Sequence, residues 1–546
     1  MSRRQKGVYA LLFTAGIGLT SAFGLWWFQP SHVPHNFFGA AHALDYLLFL
    51  LVSYVVWHEI VMEVFAWHVA AYGKRPEPAP SPEPGLRVAY VTAFVPGAEP
   101  YHILETTLQA MVAVSYPHDT WLLDEGDDPD AKSICERHGV KHYSRKGKEA
   151  FNTVGGKFAK KTKGGNYNSW LHHYDTHYDI VAQHDVDFVP RKDFLLRTLG
   201  YFRDPSIAFV GTPQIYGNVG ESWIARGAAE QTYGFYGPMQ KGFYGHDMTL
   251  LIGANHLMRT EAYRAIDGYT AHIAEDMLTG MKLYAHPRKW RSVYVPEPLL
   301  IGEGPNTWGS YLGQQMRWAY GCMDIVFRHA PGLLPRMNPR RFFNYAVLQQ
   351  FYFSGIAQVI GIALLTLYFL FGIPSAAMSL LPIVALYLPL LLYQILFQLW
   401  LQRFNIDPAT ERGLLLRGKL LSLAAWPVFF LAFIGVVRGA SLTYVVTPKG
   451  ARPDARAPSL FTLHFLLGTI TLADLLVGYR LHHEAALMVF WAALNTAVMY
   501  GLFFLEAIPA AGAWVSRRAF QLQKRLLSIG GRKAAESYVY VSGENQ

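Results

Sequence analysis

"VAQHDVDFVP", residues 181–190, ends an apolar run on two aspartates one residue apart, Asp185 and Asp187. In an extended strand, residues i and i+2 point the same way, so this spacing predicts two carboxylates presented together at a strand's carboxyl end. In open α/β sheets that edge is where ligands bind. Paired hard oxygens there suit Mg²⁺ or Mn²⁺ shared with substrate phosphates. An isolated D-x-D is also a common turn or helix cap, so its neighbours decide.

Working outward, residues 87–330 have the mixed composition of a domain that can bury its own core. "RVAYVTAFVP", 87–96, opens a series of apolar strand-like runs separated by helical patterns. This βαβ rhythm predicts an α/β domain with a largely parallel sheet. "LLDEG", 122–126, places Asp124 after another apolar run, where a carboxylate can accept hydrogen bonds from a base or ribose. "KGGN", 163–166, sets Lys163 beside two glycines, which lets backbone approach a phosphate while the ammonium offsets its charge. "HIAEDMLTGMKLY", 272–284, carries Glu275 and Asp276 at the head of a helical pattern, a position also favoured by capping acids. "GQQMRWAYG", 313–321, puts Gln314, Arg317 and Trp318 on one helical face. A guanidinium beside an indole suits a diphosphate next to a sugar ring, and it equally suits a membrane surface.

Apolar residues make up 51% of the chain and concentrate near both ends. Residues 8–28 are uncharged and long enough to cross a hydrocarbon core. They follow Arg3, Arg4 and Lys6 and end in aromatics rather than a small-residue cleavage site, which predicts a retained span rather than a signal peptide. A second segment covers about 44–66, with Glu59 and Glu63 expected at its interfacial end. Residues 74–85, "KRPEPAPSPEPG", read as a semi-rigid Pro-rich linker. Further apolar segments lie at about 345–371, 379–401, 420–437, 461–478 and 485–505.

The connections flanking 420–437 carry Arg403, Arg412, Arg417 and Lys419 on one side and Arg438, Lys449, Arg452 and Arg456 on the other. The positive-inside rule places both in the cytoplasm, so 420–437, interrupted by Pro427, is expected to lie along the interface. About six spans remain, with the α/β domain and the tail carrying Arg517, Arg518, Lys524 and Arg525 on the cytoplasmic side of the cell membrane. The predicted organisation is two helices in 1–73, the linker 74–86, a cytoplasmic α/β domain 87–330, interfacial helices with four spans in 331–506, and a cytoplasmic tail 507–546. The net charge of +9 sits beside apolar segments and in Lys157, Lys160, Lys161 and Lys163, which favours membrane flanks and phosphate over nucleic acid. Two cysteines, Cys135 and Cys322, have no metal-ligand spacing and read as structural.

In order along the chain, "TAFVPGAEP" (92–100), Asp124, "KGGN", Asp185-x-Asp187, Glu275-Asp276, "QQMRW" (314–318) and "TYVVTPKG" (443–450) resemble the processive family 2 glycosyltransferases, most closely bacterial cellulose or β-glucan synthase catalytic subunits. The resemblance implies a GT-A nucleotide-sugar domain inserted into a transmembrane helical bundle. It implies that Thr92, Glu99, Asp124, Lys163, Asp185 and Arg317 hold the nucleotide sugar, that Asp185 and Asp187 hold Mg²⁺ or Mn²⁺, and that Asp276 with Glu275 provides the catalytic base. Gln314 and Trp318 would position the acceptor sugar. Tyr444, Thr447 and Lys449, within a gating loop at 441–458, would close over UDP. The implied partners are a UDP-sugar donor, most simply UDP-glucose, a growing polysaccharide, membrane lipids and accessory export subunits.

Glu125, Ala274 and Gln315 depart from the usual residues at their motif positions. "LIGANHLMR", 251–259, replaces the family's usual acceptor stretch, which leaves sugar and linkage open. A hyaluronan- or capsule-type synthase, a non-processive transfer to a lipid carrier and a scaffold with a silent transferase domain are the alternatives. The tail after 506 is too short for the cyclic-di-GMP-binding barrel of some cellulose synthases, so no binding of that regulator by that route is expected.

Overall fold

The structure is a computed structural model of the 546-residue chain that describes residues 1–440 and 457–504. Tyr444, Thr447 and Lys449 lie outside the described residues. The chain divides into two compact units, Met1–Arg452 and Pro453–Gln546.

In the first unit, a sheet is built from β1 (Val88–Phe94), β2 (Asp119–Asp124), β3 (Lys141–Tyr143), β4 (Ile180–Asp185), β6 (Ile207–Gly211), β8 (Asn255–Arg259) and β9 (Arg291–Tyr294). A small second sheet joins β5 (Val189–Pro190), β7 (Ile215–Tyr216) and β10 (Leu300–Gly302). The large sheet runs in the order β3-β2-β1-β4-β8-β6-β9. Neighbours are parallel except around β8, which is antiparallel to both β4 and β6. The expected α/β architecture is present, with a mixed rather than wholly parallel sheet.

Strands β1, β2, β4 and β6 are buried along nearly their whole length, as expected when both faces of a sheet are covered. The chain winds from β1 through β2 to β3 on one side and then crosses to β4 on the other. The β1/β4 boundary is therefore a topological switch point, where a crevice opens at the strands' carboxyl ends. The register sets Phe94 opposite Asp124 and Ala93 opposite Asp185, so β1 ends between these two acids.

Helix α1 (Arg3–Trp27) and helix α2 (Ala43–Ala71) precede the domain. Within it, α3 (Lys163–Tyr174), α4 (Trp223–Gly234), α5 (Gln240–Gly245), α6 (Glu275–Ala285) and α7 (Trp308–Arg328) matter most for the site. The apolar helices α8 (Ser354–Phe371), α9 (Leu380–Leu401) and α10 (Leu416–Val437) complete the unit. Aromatic side chains knit α1, α2 and α9 together: Phe23, Trp27, Phe49, Ile60 and Leu390 form one buried cluster, and Tyr9, Trp67 and Phe397 are in another. The second unit contains α11 (Thr462–Leu481) and a further apolar helix, Ala486–Phe504.

Seven helical stretches among the described residues are long and apolar enough to cross a membrane, and Leu416–Val437 is one of them. The sequence reading set that segment along the interface. It packs against α4 and α7 of the α/β domain, and 44% of its apolar window is buried, the highest share of the seven. Glu59 and Glu63, expected at a helix end, lie inside α2, which continues to Ala71. Glu63 accepts a hydrogen bond from Gln398 at 3.1 Å.

The α/β domain meets the end of α2 backbone to backbone. The Pro-rich linker has no regular secondary structure but is tied down, with Tyr201 donating to the Glu77 carbonyl at 2.7 Å. Lys74 N donates to the Lys241 carbonyl at 3.0 Å, and Lys241 Nζ donates to the Phe404 carbonyl at 2.6 Å. A Cβ at Gly242 would stand 2.1 Å from the Val69 carbonyl oxygen, and one at Gly245 would stand 1.9 Å from that of Tyr72. Only glycine permits such an approach. Gly245→Ala should therefore destabilise the protein by about 1–3 kcal/mol through overpacking, read as a lower melting temperature in detergent; an unchanged melting temperature would show that the junction can spread.

Candidate active site

The carboxyl edge of the sheet gathers residues that are far apart in sequence. Strand β4 stops at Asp185 instead of running through Asp187 as the i, i+2 argument expected. Phe188 N donates to the Asp185 carbonyl at 2.9 Å, which closes a turn and ends the extended backbone. The two acids thus flank a turn rather than sharing a strand face. Asp185 remains 42% exposed on its side chain, whereas Asp187 is buried.

Lys163 lies at the head of α3, whose start is capped by Thr162. Its Nζ donates to Asp185 Oδ1 at 2.5 Å and to the Gly253 carbonyl at 2.6 Å. Burial works against this charge, but Asp185, Tyr167 and Glu275 outweigh it and hold the ammonium well above its ordinary pKa. The amide of the same Gly253 donates to Asp276 Oδ2 at 2.8 Å. A single glycine peptide therefore links the lysine of one motif to the acid of another. A Cβ at Gly253 would lie 3.0 Å from Asp276 Oδ2 and 3.2 Å from Glu275 Oε1, so the position favours the smallest side chain.

Glu275 and Asp276 open α6. Burial raises the pKa of both. Asp276 has compensation for its charge, because its oxygens accept from Gly253 N and from Met277 N at 2.7 Å. Glu275 is pushed to about 8, first by burial and then by Asp276 beside it, with Lys163 acting in opposition. Backbone donors oppose the rise at Asp276, whereas the acidic neighbour adds to it at Glu275, so Glu275 holds a proton the more firmly of the two.

Other predicted residues sit near this centre in different roles. Asp124 is fully buried, and its oxygens accept from Gly126 N at 2.8 Å, Asp128 N at 2.5 Å and His142 Nε2 at 3.1 Å, which shapes the turn after β2. Thr92 is buried in β1 and donates to the His184 carbonyl at 3.0 Å. Glu99 accepts from Val95 N at 2.9 Å and fixes the loop after β1. Gln314, Arg317 and Trp318 are half-buried on α7. Further along that helix Gly321 closes on the head of α6, where a Cβ would come within 2.6 Å of the Ala274 Cβ.

Two residues escaped the sequence reading. Gly253 lay in a stretch noted only as unusual. Arg145, whose side chain is fully buried, donates to Glu125 at 2.6 Å and to the carbonyls of Phe151 (3.0 Å), Ala159 (3.2 Å) and Thr162 (3.3 Å). It folds the basic loop leading into Lys163, and its signal was Glu125, an acid needing a partner. From the lysine run, Lys157 pairs with Asp267 at 2.7 Å.

As donors for a divalent ion, Asp185 and Asp187 have the right chemistry, hard carboxylates on either side of the turn that ends β4, with Asp185 exposed beside Lys163 and Asp187 buried. A second group of metal-type ligands among the described residues, His272, Asp324 and His329, lies outside this set.

Residues 180–401 match the family described as glycosyl transferase family group 2. The chain is thus similar, over part of its length, to family 2 glycosyltransferases of the cellulose synthase-like kind. It is 26% identical over 440 residues to the UDP-forming cellulose synthase catalytic subunit of Pseudomonas fluorescens (strain SBW25), covering 78% of this chain and 56% of that protein. The corresponding subunit of Xanthomonas axonopodis pv. citri (strain 306) is 25% identical over 374 residues, 66% of this chain and 48% of that one. Putative cellulose synthase 2 of Komagataeibacter xylinus is 26% identical over 334 residues, of which the chain spans 21% of the relative's length. Among solved structures, a mannosyltransferase from Pyrobaculum calidifontis in complex with GDP-Man and Mn²⁺ is 15% identical, covers 73% of this chain and 100% of its own, and has a TM-score of 0.46.

The raised pKa of Glu275 has a thermal consequence. The folded state holds that proton more tightly than the unfolded chain, so stability falls as pH rises from about 4.5 to about 8 and is flat above. Glu275→Gln mimics the protonated form, and its melting temperature should gain on the parent's across that window. A constant difference would mean that Glu275 is ionised throughout.

Proposed function

We propose that the chain is a membrane-embedded, inverting, processive glycosyltransferase that polymerises a UDP-sugar, in the first instance UDP-glucose, into a β-linked polysaccharide and passes it across the cell membrane. The observation that carries this reading is the linkage of Asp185, Lys163, Gly253 and Asp276 at the switch point of the sheet. It ties the acid at the strand edge to a half-buried carboxylate at the head of α6 through one peptide.

The chemistry follows from that placement. Asp276 accepts the proton of the acceptor hydroxyl as its oxygen bonds to the donor's anomeric carbon, and the bond to the diphosphate breaks on the opposite face. One in-line displacement inverts the centre, so an α-linked donor gives a β-linked product. A positioned carboxylate contributes about 10² to 10⁴-fold in such a step. Mg²⁺ or Mn²⁺ held by Asp185 and Asp187 would offset the charge developing on the leaving diphosphate. Lys163 keeps Asp185 in place, while Arg317 supplies a cation for the diphosphate and Gln314 and Trp318 face the acceptor sugar. Asp124, Thr92 and Glu99 shape the loops around the nucleotide. Tyr444, Thr447 and Lys449 are assigned to closure over UDP.

The packing of α10 on α4 and α7 supports the interfacial placement of that helix, which leaves six spans and keeps the α/β domain cytoplasmic. Lipids, the growing polymer and export subunits are the corresponding partners.

Membranes bearing the protein should incorporate label when offered one labelled UDP-sugar at a time with Mg²⁺ or Mn²⁺, and linkage-specific glycosidases then identify the polymer. UDP-glucose incorporation into a β-glucan supports the reading; incorporation of only another sugar points to the capsule-type alternative, and a single sugar on lipid to the carrier alternative. Asp276→Asn should cut incorporation by about 10²-fold or more while UDP still binds; substantial synthesis removes Asp276 as base. Reporter fusions after residues 410 and 455 should both read cytoplasmic, and an external reading at 455 would mean that α10 crosses.

A further inference from the structure

The group formed by His272, Asp324 and His329 joins the two helices on which the proposed chemistry depends. Asp324 lies on α7, two turns beyond Arg317, and His272 lies just before α6. His272 Nε2 stands 3.1 Å from Asp324 Oδ2. On the other side of the ring, Nδ1 accepts the Ala274 N–H at 3.0 Å. Ala274 is the N-cap of α6 and has no side-chain acceptor to offer that turn. The imidazole supplies one.

These contacts fix the tautomer. An Nδ1 that accepts an amide proton carries its lone pair there, so the ring hydrogen is on Nε2 and points at Asp324. Burial favours this neutral ring by lowering the pKa of His272 to about 4. The same argument removes the metal alternative. Imidazole bound through Nε2 would carry its hydrogen on Nδ1, against the Ala274 N–H. Asp324 is moreover already paired with Arg328. His329 lies at the margin, its Nε2 4.0 Å from Asp324 and its ring edge-on to His272 at 5.6 Å.

We infer that His272 is a positioning residue: held in one tautomer by Asp324, it fixes the first turn of α6, so that the helix bearing Glu275 and Asp276 is registered to the helix bearing Gln314, Arg317 and Trp318. Glu275 and Asp276 directly follow the N-cap that His272 holds, and Gly321 of α7 is pressed on the same N-cap residue. A slip of that turn would carry Asp276 away from Gly253 N. The inference rests on the reading of Asp276 as base.

The test uses the full-length protein in detergent or native membranes with His272→Ala, His272→Asn, Asp324→Ala and the His272→Ala/Asp324→Ala double variant. Asn places Oδ1 where Nδ1 stood and can still accept from Ala274 N. In His272→Ala, incorporation at saturating UDP-sugar should fall about tenfold with KM for the donor within about twofold, and His272→Asn should recover most of the loss. The double variant should be no slower than His272→Ala alone, because both residues act through one strap. Hydrogen exchange of a peptide covering 273–279 should speed about tenfold in His272→Ala and return toward the parent in His272→Asn. That arm needs no activity, so an inactive parent would overturn the proposed function while exchange still judges the strap. Parent-like exchange or turnover in His272→Ala, equal loss in the Ala and Asn variants, or zinc that co-purifies with the parent and is lost in these variants would each overturn the inference.

Discussion

A buried ammonium is the constraint around which the site is arranged. Lys163 is withdrawn from water among Asp185, Glu275 and a carbonyl, and it stays charged chiefly because the Asp185 carboxylate beside it outweighs the cost of burial. Breaking a buried pair from one side leaves an uncompensated charge, which is far more costly than the pair's net worth. The arrangement persists only while Gly253, Asp185 and the lysine hold their places together. The Gly253 peptide has both polar groups committed, its carbonyl to Lys163 and its amide to Asp276. The proton on Glu275 completes the balance, since two ionised carboxylates side by side would overcharge the cavity.

Much of this was legible in the sequence. The α/β rhythm, the apolar segments and the acids at strand and helix ends could be read because each follows from local periodicity or local capping chemistry. What escaped was non-local. No pattern announces that Gly253 bridges two motifs, since that role comes from the backbone of a strand-leading loop and not from a side chain. Arg145 was hidden for a similar reason, because apart from Glu125 its partners are carbonyls whose positions only the folded loop defines. The same-face argument for Asp185 and Asp187 failed on a boundary: the hydrogen bond from Phe188 N turns the chain at the residue where a continuing strand was assumed.

Charge counting and packing bear on α10 from different directions. The basic residues around it assign both flanks to one side of a membrane, a statement about electrostatics alone. Hydropathy and length would let it cross. Its contacts with α4 and α7 commit part of its apolar surface to the α/β domain, and it packs on α8 as well. A helix can meet the length criterion for a span and still find a better partner in protein.

The glycines of α5 carry a mechanical implication. With Gly242 and Gly245 pressed on the Val69 and Tyr72 carbonyls, the α/β domain meets the end of α2 through main chain, and Phe243 and His246 pack on Phe65 and His68 beside that contact. Rocking the domain on this support would break main-chain contacts, so the junction opposes a pivot there and leaves elements away from α2 freer to move.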